Sequence, residues 1–222
     1  MNARPDDWLA PYHRLLAAYG PQHWWPGETA FEVMVGAVLT QNTAWANVER
    51  AIANLKAARC LGCRDILALT DQALAELIRP AGYFNVKARR LKALCAFLDD
   101  HGVSAAPERL RDLAPLPELR HRLLGVHGVG EETADSILLY ALGLPVFVVD
   151  AYTRRVFSRL GLLTGSEAYR PIQQRFMSQL PADAVLYNEY HALIVHLGKS
   201  VCRPRPRCGE CPLRDVCAHP TP

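Results

Sequence analysis

Four cysteines near the C-terminus constrain this chain more than any other feature of its sequence. They stand in the run VCRPRPRCGECPLRDVC, with the spacing C-x5-C-x2-C-x5-C, at Cys202, Cys208, Cys211 and Cys217. Thiols this close together either close small disulfide loops or surround one metal centre, and the redox state of the compartment decides between the two. Met1 leads into a polar segment without an apolar signal region, and no apolar run is long enough to span a bilayer. We therefore expect a cytoplasmic protein in a reducing environment, with a metal site.

The spacing also bears on which metal the cysteines hold. Zinc sites usually combine two separated pairs of short spacing, and only Cys208 and Cys211 form such a pair. Four thiolates in one compact loop suit a cubane iron–sulfur cluster, because all four must converge on one small object. The spacing therefore favours a [4Fe–4S] cluster, and zinc is the alternative.

Arginine supplies most of the positive charge of the chain. The formal net charge is only +3, and the lysines are few: Lys56, Lys87, Lys92 and Lys199. Arginine suits sites where planar, forked donors meet phosphate. Inside the cysteine loop, Arg203, Arg205 and Arg207 alternate with prolines that stiffen the segment. This loop is either a phosphate clamp or a solvated segment that keeps the metal site soluble.

Apolar residues recur at helical spacing through most of the chain. One buried stripe is formed by Phe31, Met34, Val35, Val38 and Leu39. Similar stripes follow, and the second is expected to begin at an N-cap on Thr43 and to end before Gly62. Only Val146–Val149 resembles a strand, and four residues are too few to indicate a sheet. The pattern predicts an all-α protein whose helices are joined by short loops.

A glycine-containing turn lies between two predicted helices, in the run Val126-His-Gly-Val-Gly-Glu-Glu-Thr-Ala134. Two glycines separated by one residue allow a tight turn, and the amides that open the next helix can bind an anion. The run is not a Rossmann fingerprint, because no strand precedes it, and it is not a P-loop, because no Gly-Lys-Ser/Thr follows. An anion site and an ordinary corner between helices both fit the pattern.

Together with its neighbours, this turn resembles the helix-hairpin-helix of the endonuclease III superfamily of DNA glycosylases. The run Val38-Leu-Thr-Gln-Asn-Thr43 is similar to the family's L-x-x-Q-x-T segment, and Gly82–Ala88 is similar to its G-x-x-x-x-K-A segment. Asp150 follows an apolar run, where the family keeps its essential aspartate, and the four cysteines fall where many members carry a [4Fe–4S] loop. These motifs occur in order from about residue 30 to the C-terminus, so the resemblance covers most of the chain.

The resemblance implies a two-domain, all-α fold that clasps DNA. A six-helix barrel with the hairpin would span residues 26–144, residues 1–25 and 145–222 would form the iron–sulfur cluster domain, and Asp150 would face the cleft between them. The implied partner is double-stranded DNA with a damaged base, bound by a monomer at the nucleoid and not at a membrane. The residues implied to contact DNA are Gln41, Gly128, Gly130, Thr133, Lys199, Arg203, Arg205 and Arg207.

Asp150 is the expected catalytic residue. Breaking an N-glycosidic bond builds positive charge on the sugar, and a nearby carboxylate can stabilise that charge and orient a water. Taken alone, Asp150 would more simply be an N-cap, but its place in the motif series favours the catalytic role. In bifunctional members a lysine after the hairpin forms a Schiff base with the sugar, whereas the matching position here is Glu132, which cannot form an imine. We therefore expect a monofunctional glycosylase.

Three tryptophans bear on which base is removed. Aromatic rings stacked on a flipped nucleotide attract a cationic, alkylated purine more than a normal base, and the candidates are Trp24, Trp25 and Trp45. The run WWPGETAFEVMVGAVLTQNTAW is similar to the corresponding stretch of the 3-methyladenine glycosylases of this branch, which also carry Glu in place of the lysine. The expected substrate is an alkylated purine. Packing in the core is the alternative role for each tryptophan.

Two departures from the family pattern leave the substrate open. The usual cysteine loop is spaced C-x6-C-x2-C-x5-C, one residue longer in its first gap, and some 3-methyladenine relatives lack the cluster. One alternative is therefore a bifunctional glycosylase and lyase for oxidised pyrimidines. The other is a non-catalytic module that binds DNA structures or senses redox state.

Overall fold

The computed structural model describes residues 5–220, without the side chains of residues 5–7. The segment opened by Met1, on which part of the expectation about targeting rests, and the two C-terminal residues of the 145–222 domain lie outside the described residues. Within residues 5–220, all regular structure is helical and Val146–Val149 forms no strand, so the all-α prediction is confirmed. No helix in this part of the chain combines the length and apolar character needed to cross a membrane.

The α-helices of the described chain follow one another through short connections. They are α1 (Pro5–Tyr19), α2 (Ala30–Leu39), α3 (Trp45–Ala57), α4 (Cys63–Ala68), α5 (Asp71–Leu77), α6 (Phe84–Asp100), α7 (Leu116–Leu124), α8 (Glu131–Ser136), α9 (Ala151–Arg159), α10 (Tyr169–Gln179) and α11 (Ala184–Ser200). A π-helical segment, Ile137–Ala141, continues α8. Short 3-10 turns occupy Arg79–Ala81, Pro107–Asp112, Cys208–Glu210 and Arg214–Val216.

The described chain divides into two compact units, and the first is Trp25–Leu144 with helices α2 to α8. Its core is built around α2, in which every residue from Phe31 to Leu39 is buried. Apart from Glu32 in its first turn, this buried stretch carries no charged side chain, so the helix must be covered all round. The helices α3, α6 and α8, with the π-helical segment, pack against it.

The second unit combines the described residues before Trp25 with those after Leu144. Helix α1 packs on α10 and α11, and α9 packs on α11. The core is aromatic: Trp8 stacks on Phe157 with ring centroids 5.5 Å apart, and Phe147 stacks on Phe176 at 3.9 Å. The Tyr190 hydroxyl donates a hydrogen bond to the Trp8 carbonyl at 2.7 Å. These contacts fix α9, whose N-terminus carries Asp150.

Two predicted helix boundaries were wrong. The N-cap of α3 is Ala44, which makes no side-chain cap bond, so Thr43 lies one residue too early. Helix α3 ends at Ala57, and the left-handed residue that follows is Arg59, with φ of 54°, in a role that usually falls to glycine. Gly62 is instead the N-cap of α4.

Candidate active site

The hairpin turn uses its two glycines differently. Gly128 has φ of +82°, and a β-carbon there would lie 2.2 Å from Cγ of Arg90. Gly130 is the N-cap of α8, and nothing lies within 4 Å of the place where its β-carbon would stand. The first glycine is therefore needed for the turn itself and for close packing on Arg90, and the second leaves the backbone open to an approaching group.

An ion pair holds the two helices of the hairpin together. Arg120 on α7 donates from Nε to Oδ1 of Asp135 at 2.7 Å and from Nη2 to Oδ2 at 3.0 Å. The Asp135 side chain is 0% exposed, and its carboxylate raises the pKa of Arg120. A forked, charge-assisted contact of this kind fixes geometry as well as adding energy. The angle between α7 and α8 is thereby set by a buried pair.

Gln41 lies just beyond α2 and is hydrogen-bonded to the hairpin. Its Nε2 donates to the Gly128 carbonyl at 3.1 Å and to Oγ1 of Thr133 at 2.8 Å, while its Oε1 accepts from Arg90. Thr133 is buried, so its hydroxyl serves this network. The structure therefore joins Gln41, Gly128 and Thr133, three residues that the sequence assigned to DNA contact, in one cluster.

A buried lysine links the two segments beside the hairpin. Lys87 is 1% exposed, and its Nζ donates to the carbonyls of Leu39 and Ala81, each at 2.8 Å. Leu39 ends α2 and Ala81 ends a 3-10 turn, so one ammonium satisfies carbonyls at two helix ends. Burial lowers the pKa of Lys87 to about 8, and the positive charge of Arg90 adds to this effect.

Tyr83 was missed in the sequence, although it lies inside a recognised motif. Its side chain is 73% exposed, and its backbone is left-handed, with φ of 45°, at the N-cap of α6. Exposed aromatic rings on strained backbone are concentrated at functional sites. Tyr83 and Gln41 each follow, by two residues, a carbonyl that Lys87 binds, so Lys87 ties both segments together. The available signal was an aromatic residue directly after Gly82 and before a helix.

Trp25 and Trp45 form an aromatic cluster in the first unit. Trp25 meets Trp45 edge-to-face, with ring centroids 5.3 Å apart, and lies 5.0 Å from the ring of Tyr140. A β-carbon at Gly36 would lie 3.1 Å from Nε1 of Trp25, so this glycine gives the indole room on α2. Both tryptophans are half-buried, which leaves part of each ring accessible.

Trp24 belongs to the second unit, together with Lys199. These residues line a cavity of about 190 Å³ with Gln22, Ala192, Val195 and His196. The Trp24 ring stacks on His191, with centroids 5.8 Å apart and planes 23° apart. Lys199 is exposed in the last turn of α11, where a cation is favoured by the helix dipole.

Asp150 is the N-cap of α9, as the simpler interpretation of the sequence had it. Its Oδ1 accepts hydrogen bonds from the Thr153 amide at 2.7 Å and from the Thr153 hydroxyl at 2.9 Å. Its Oδ2 lies 3.6 Å from Nε2 of His191, and the side chain is 12% exposed. Burial lowers the pKa of His191, although the Asp150 carboxylate acts in the opposite direction. The cap thus occupies one oxygen of Asp150 and leaves the other for a second role.

Glu132 is exposed in the first turn of α8, directly after Glu131. Carboxylates in a first turn interact favourably with the helix dipole. The position that the resemblance matches to the lysine of bifunctional family members therefore presents an exposed carboxylate.

The four C-terminal cysteines line one cavity. Burial raises the pKa of the Cys211 thiol, and the charges of Cys202, Cys208 and Cys217 add to that effect, because the four sulfurs lie close together. Among the described residues, no three His, Cys, Asp or Glu side chains are spaced to hold a single metal ion. The exposed arginines of the loop are Arg203, Arg205 and Arg207.

Helix α9 is hydrogen-bonded to the cysteine loop. Arg155 donates from Nε to the Cys202 carbonyl at 2.7 Å, and Arg159 donates from Nη1 to the Arg203 carbonyl at 2.7 Å. The Cys217 thiol donates to the Arg159 carbonyl at 3.3 Å. The loop is therefore anchored on the C-terminal half of the helix that Asp150 caps.

The fold and the hairpin define a class of DNA repair protein. Residues 35–182 match the family described as the HhH-GPD superfamily base excision DNA repair protein, and the chain belongs to this family. The predicted family resemblance is thus confirmed, and the chain is a DNA glycosylase of base excision repair.

Individual relatives agree with this assignment. The chain is 50% identical over 206 residues to MJ1434 of Methanocaldococcus jannaschii, which is described as a candidate DNA repair glycosylase, and 93% of each chain is covered. The fold is similar to that of an endonuclease III trapped as a covalent intermediate with DNA, with a TM-score of 0.80, 24% identity and coverage of 96% and 95%. It is also similar to the H. pylori 3-methyladenine DNA glycosylase MagIII bound to 1,N6-ethenoadenine, with a TM-score of 0.73, 30% identity and coverage of 89% and 98%.

Proposed function

We propose that this glycosylase is monofunctional and removes alkylated purines from double-stranded DNA, with Asp150 as its catalytic carboxylate. The observation that carries the proposal is the difference in surroundings between the two carboxylate oxygens. Thr153 holds Oδ1 in the cap of α9, and Oδ2 stays outside that cap. A carboxylate held this rigidly is suited to stabilise charge that develops next to it.

The chemistry follows from the charge of the substrate. When the alkylated purine is cationic, cleavage of its N-glycosidic bond releases a neutral base and leaves positive charge on the sugar. The Asp150 carboxylate stabilises that charge and orients a water, whose oxygen bonds to the anomeric carbon. The water proton passes to the carboxylate and then to solvent. The product is an abasic site.

Glu132 supports the monofunctional assignment, because its carboxylate cannot form the imine that a lyase requires. The likeness to MagIII supports an alkylated purine as the substrate. The half-buried rings of Trp25 and Trp45 offer faces on which a cationic base gains from cation–π attraction. Trp24, the third tryptophan assigned to base binding, lines a cavity with Lys199.

DNA binding is assigned to the hairpin and to the arginine loop. The open backbone at Gly130 allows a phosphate to approach, and Arg203, Arg205, Arg207 and Lys199 supply sequence-independent phosphate contacts. We assign Gln41 and the exposed ring of Tyr83 to the gap that a flipped base leaves, because inserted side chains offset the cost of unstacking.

The cysteine loop fits a [4Fe–4S] cluster, because four thiols line one cavity and lie close enough for their charges to act on one another. Cys202, Cys208, Cys211 and Cys217 would hold the cluster, and its bound form would supply a structural cross-link. No step of base release passes through it. The loop then presents its arginines from a fixed frame.

A base-release assay on methylated genomic DNA tests the function. Asn is as good an N-cap as Asp, so Asp150→Asn keeps α9 capped through its amide oxygen and replaces the other carboxylate oxygen by an uncharged NH2 group. We expect wild-type enzyme to release alkylated purines and Asp150→Asn to lose release by at least about 100-fold with an unchanged melting temperature. Asp183 caps α11 through the Val185 amide at 2.7 Å, so Asp183→Asn is the matched control and should retain activity.

Three results would contradict the proposal. Release of oxidised pyrimidines together with a borohydride-trapped imine on abasic DNA would support the bifunctional alternative. Tight binding to damaged duplexes without release of any base would support a non-catalytic DNA-binding module. Full release by Asp150→Asn would remove Asp150 from the chemistry.

The insertion role of Tyr83 has its own test. Tyr83→Ala should weaken binding to a duplex with an abasic-site analogue by about 10-fold, which corresponds to the loss of one stacking contact. Val185 is equally exposed on α11, and Val185→Ala is the control for removal of a surface apolar group. Equal affinities for both variants would refute the role.

A further inference from the structure

We propose that His191 is a positioning residue for Asp150 and orients its carboxylate oxygen Oδ2, while Thr153 holds Oδ1. The inference rests on the proposed catalytic role of Asp150. Neither the spacing of His191 from Asp150 in the sequence nor any motif pointed to this residue.

The imidazole of His191 has a fixed position. It is 4% exposed on α11, with Nε2 directed to within 3.6 Å of Oδ2 of Asp150. Trp24 stacks on one face of the ring at 23°, and Phe147 meets it edge-on at 84°, with centroids 6.4 Å apart. Aromatic neighbours on two sides leave the ring little freedom to turn.

The surroundings also determine what the ring can donate. Burial keeps the imidazole neutral at physiological pH, since it lowers the pKa of His191 more than the Asp150 carboxylate raises it. A neutral imidazole carries one N–H, and the nitrogen that faces the carboxylate is Nε2. A proton on Nε2 places the N–H dipole of His191 beside Oδ2, with 3.6 Å between Nε2 and Oδ2, and this electrostatic contact leaves the lone pairs of Oδ2 for water. Thr153 then holds Oδ1 by hydrogen bonds, and His191 orients Oδ2.

This arrangement gives Trp24 a role through His191 in addition to any contact with a base. The stacked indole sets the plane of the imidazole, and the imidazole sets the carboxylate. A misplacement of about 1 Å at a reacting group costs up to about 100-fold in rate. Removal of the Trp24 indole should therefore slow the chemical step far more than it weakens DNA binding.

The first arm of the test compares His191→Leu, which keeps volume without a donor, with His191→Gln, whose amide N–H reaches a position near that of Nε2. Single-turnover release on methylated DNA should fall by about 10- to 100-fold in His191→Leu, with affinity for an abasic-analogue duplex within about 3-fold of wild type. His191→Gln should recover most of the rate. His13→Leu, at an exposed position on α1, is the control.

Asp150→Asn separates the two proposals. If Asp150→Asn abolishes release and His191→Leu retains the wild-type rate, the positioning role is overturned while the proposed function stands. If Asp150→Asn retains full release, the catalytic assignment itself fails, and the positioning role falls with it.

The second arm needs no substrate. Nitrogen-15 NMR of the His191 ring in the intact protein should show the neutral tautomer with its proton on Nε2, and Asp150→Asn should lower its pKa because the carboxylate is lost. A ring with its proton on Nδ1 and a bare Nε2 would overturn the proposal, whatever the activity.

Discussion

Substitution of Lys87 directly tests how the burial of an amine next to the hairpin affects the free energy of unfolding. It is nearly inaccessible to solvent, yet it carries an amine between the Leu39 and Ala81 carbonyls. Burial penalises the charged form, and the pKa of Lys87 falls from 10.5 to about 8. Lys87→Met keeps a long apolar side chain but removes the titrating group. The perturbation is therefore confined to one proton and two hydrogen bonds.

The magnitude and its sign follow from proton linkage. A pKa that falls from 10.5 to about 8 corresponds to about 3 kcal/mol. Between these two pH values the unfolded chain still binds the lysine proton, whereas the folded chain has lost it. The free energy of unfolding therefore rises with pH through this window. Relative to Lys87→Met, the wild-type protein should gain about 3 kcal/mol between pH 7.5 and pH 10.5.

Urea unfolding followed by circular dichroism, at fixed ionic strength across pH 7.5–10.5, measures this difference. Subtraction of the variant removes the contributions of the other titrating groups. Lys56 is the matched control: its hydrogen bonds to Glu32 and Glu28 raise its pKa above the ordinary lysine value, so any stability they add is lost only above that value. The stability difference between wild type and Lys56→Met should therefore stay nearly flat across the measured range and show no rise with pH. Parallel pH curves for wild type and Lys87→Met would refute the lowered pKa.

Three further predictions concern the hairpin and the cysteine loop. Gly128→Ala should lower the free energy of unfolding by about 1–3 kcal/mol and impair DNA binding, because a β-carbon at this left-handed position clashes with the Arg90 side chain. Gly130→Ala should fold normally, and equal urea midpoints for the two variants would refute the distinction. Arg120→Met should cost about 3–5 kcal/mol in urea unfolding, because it breaks the pair with fully buried Asp135; a loss below about 1 kcal/mol would contradict that. Cys208→Ala should lower the melting temperature and DNA affinity together, and a variant with normal stability and affinity but no base release would contradict a structural role.

The sequence predicted the features that depend on local pattern. Helical periodicity identified the buried stripe of α2, since the residues on one face of a helix recur at regular intervals in the sequence. The two glycines located the hairpin turn, because a left-handed residue such as Gly128 leaves a visible signature. The order of the motifs then identified the family.

Helix ends were less accessible to prediction. A glycine was expected to stop α3, but Arg59 adopts the left-handed conformation there. Gly62 instead begins α4. The local sequence permits a left-handed residue at Arg59 and a helix cap at Gly62, but it does not require either. Tertiary packing therefore determines where α3 ends and α4 begins.

Contacts between distant residues were invisible for a different reason. Lys87 lies 48 positions from the carbonyl of Leu39, and the sequence assigned it only to a motif. His191 lies on an apolar helix, where a histidine usually has a structural role, and only the fold places it at Asp150. The insertion role proposed for Tyr83 rests on its exposure and left-handed backbone, which the sequence signals only through its place between Gly82 and a helix.

Helix α9 connects the cysteine loop to Asp150, so a change in the loop can reach the proposed catalytic carboxylate. Asp150 caps its N-terminus, while Arg155 and Arg159 hold the carbonyls of Cys202 and Arg203 near its C-terminus. An opened cysteine loop would release those carbonyls and free the C-terminal half of α9. The Asp150 carboxylate would then depend on Thr153 and His191 alone for its orientation. The cysteines and the aspartate, far apart in the sequence, thus act on the same helix.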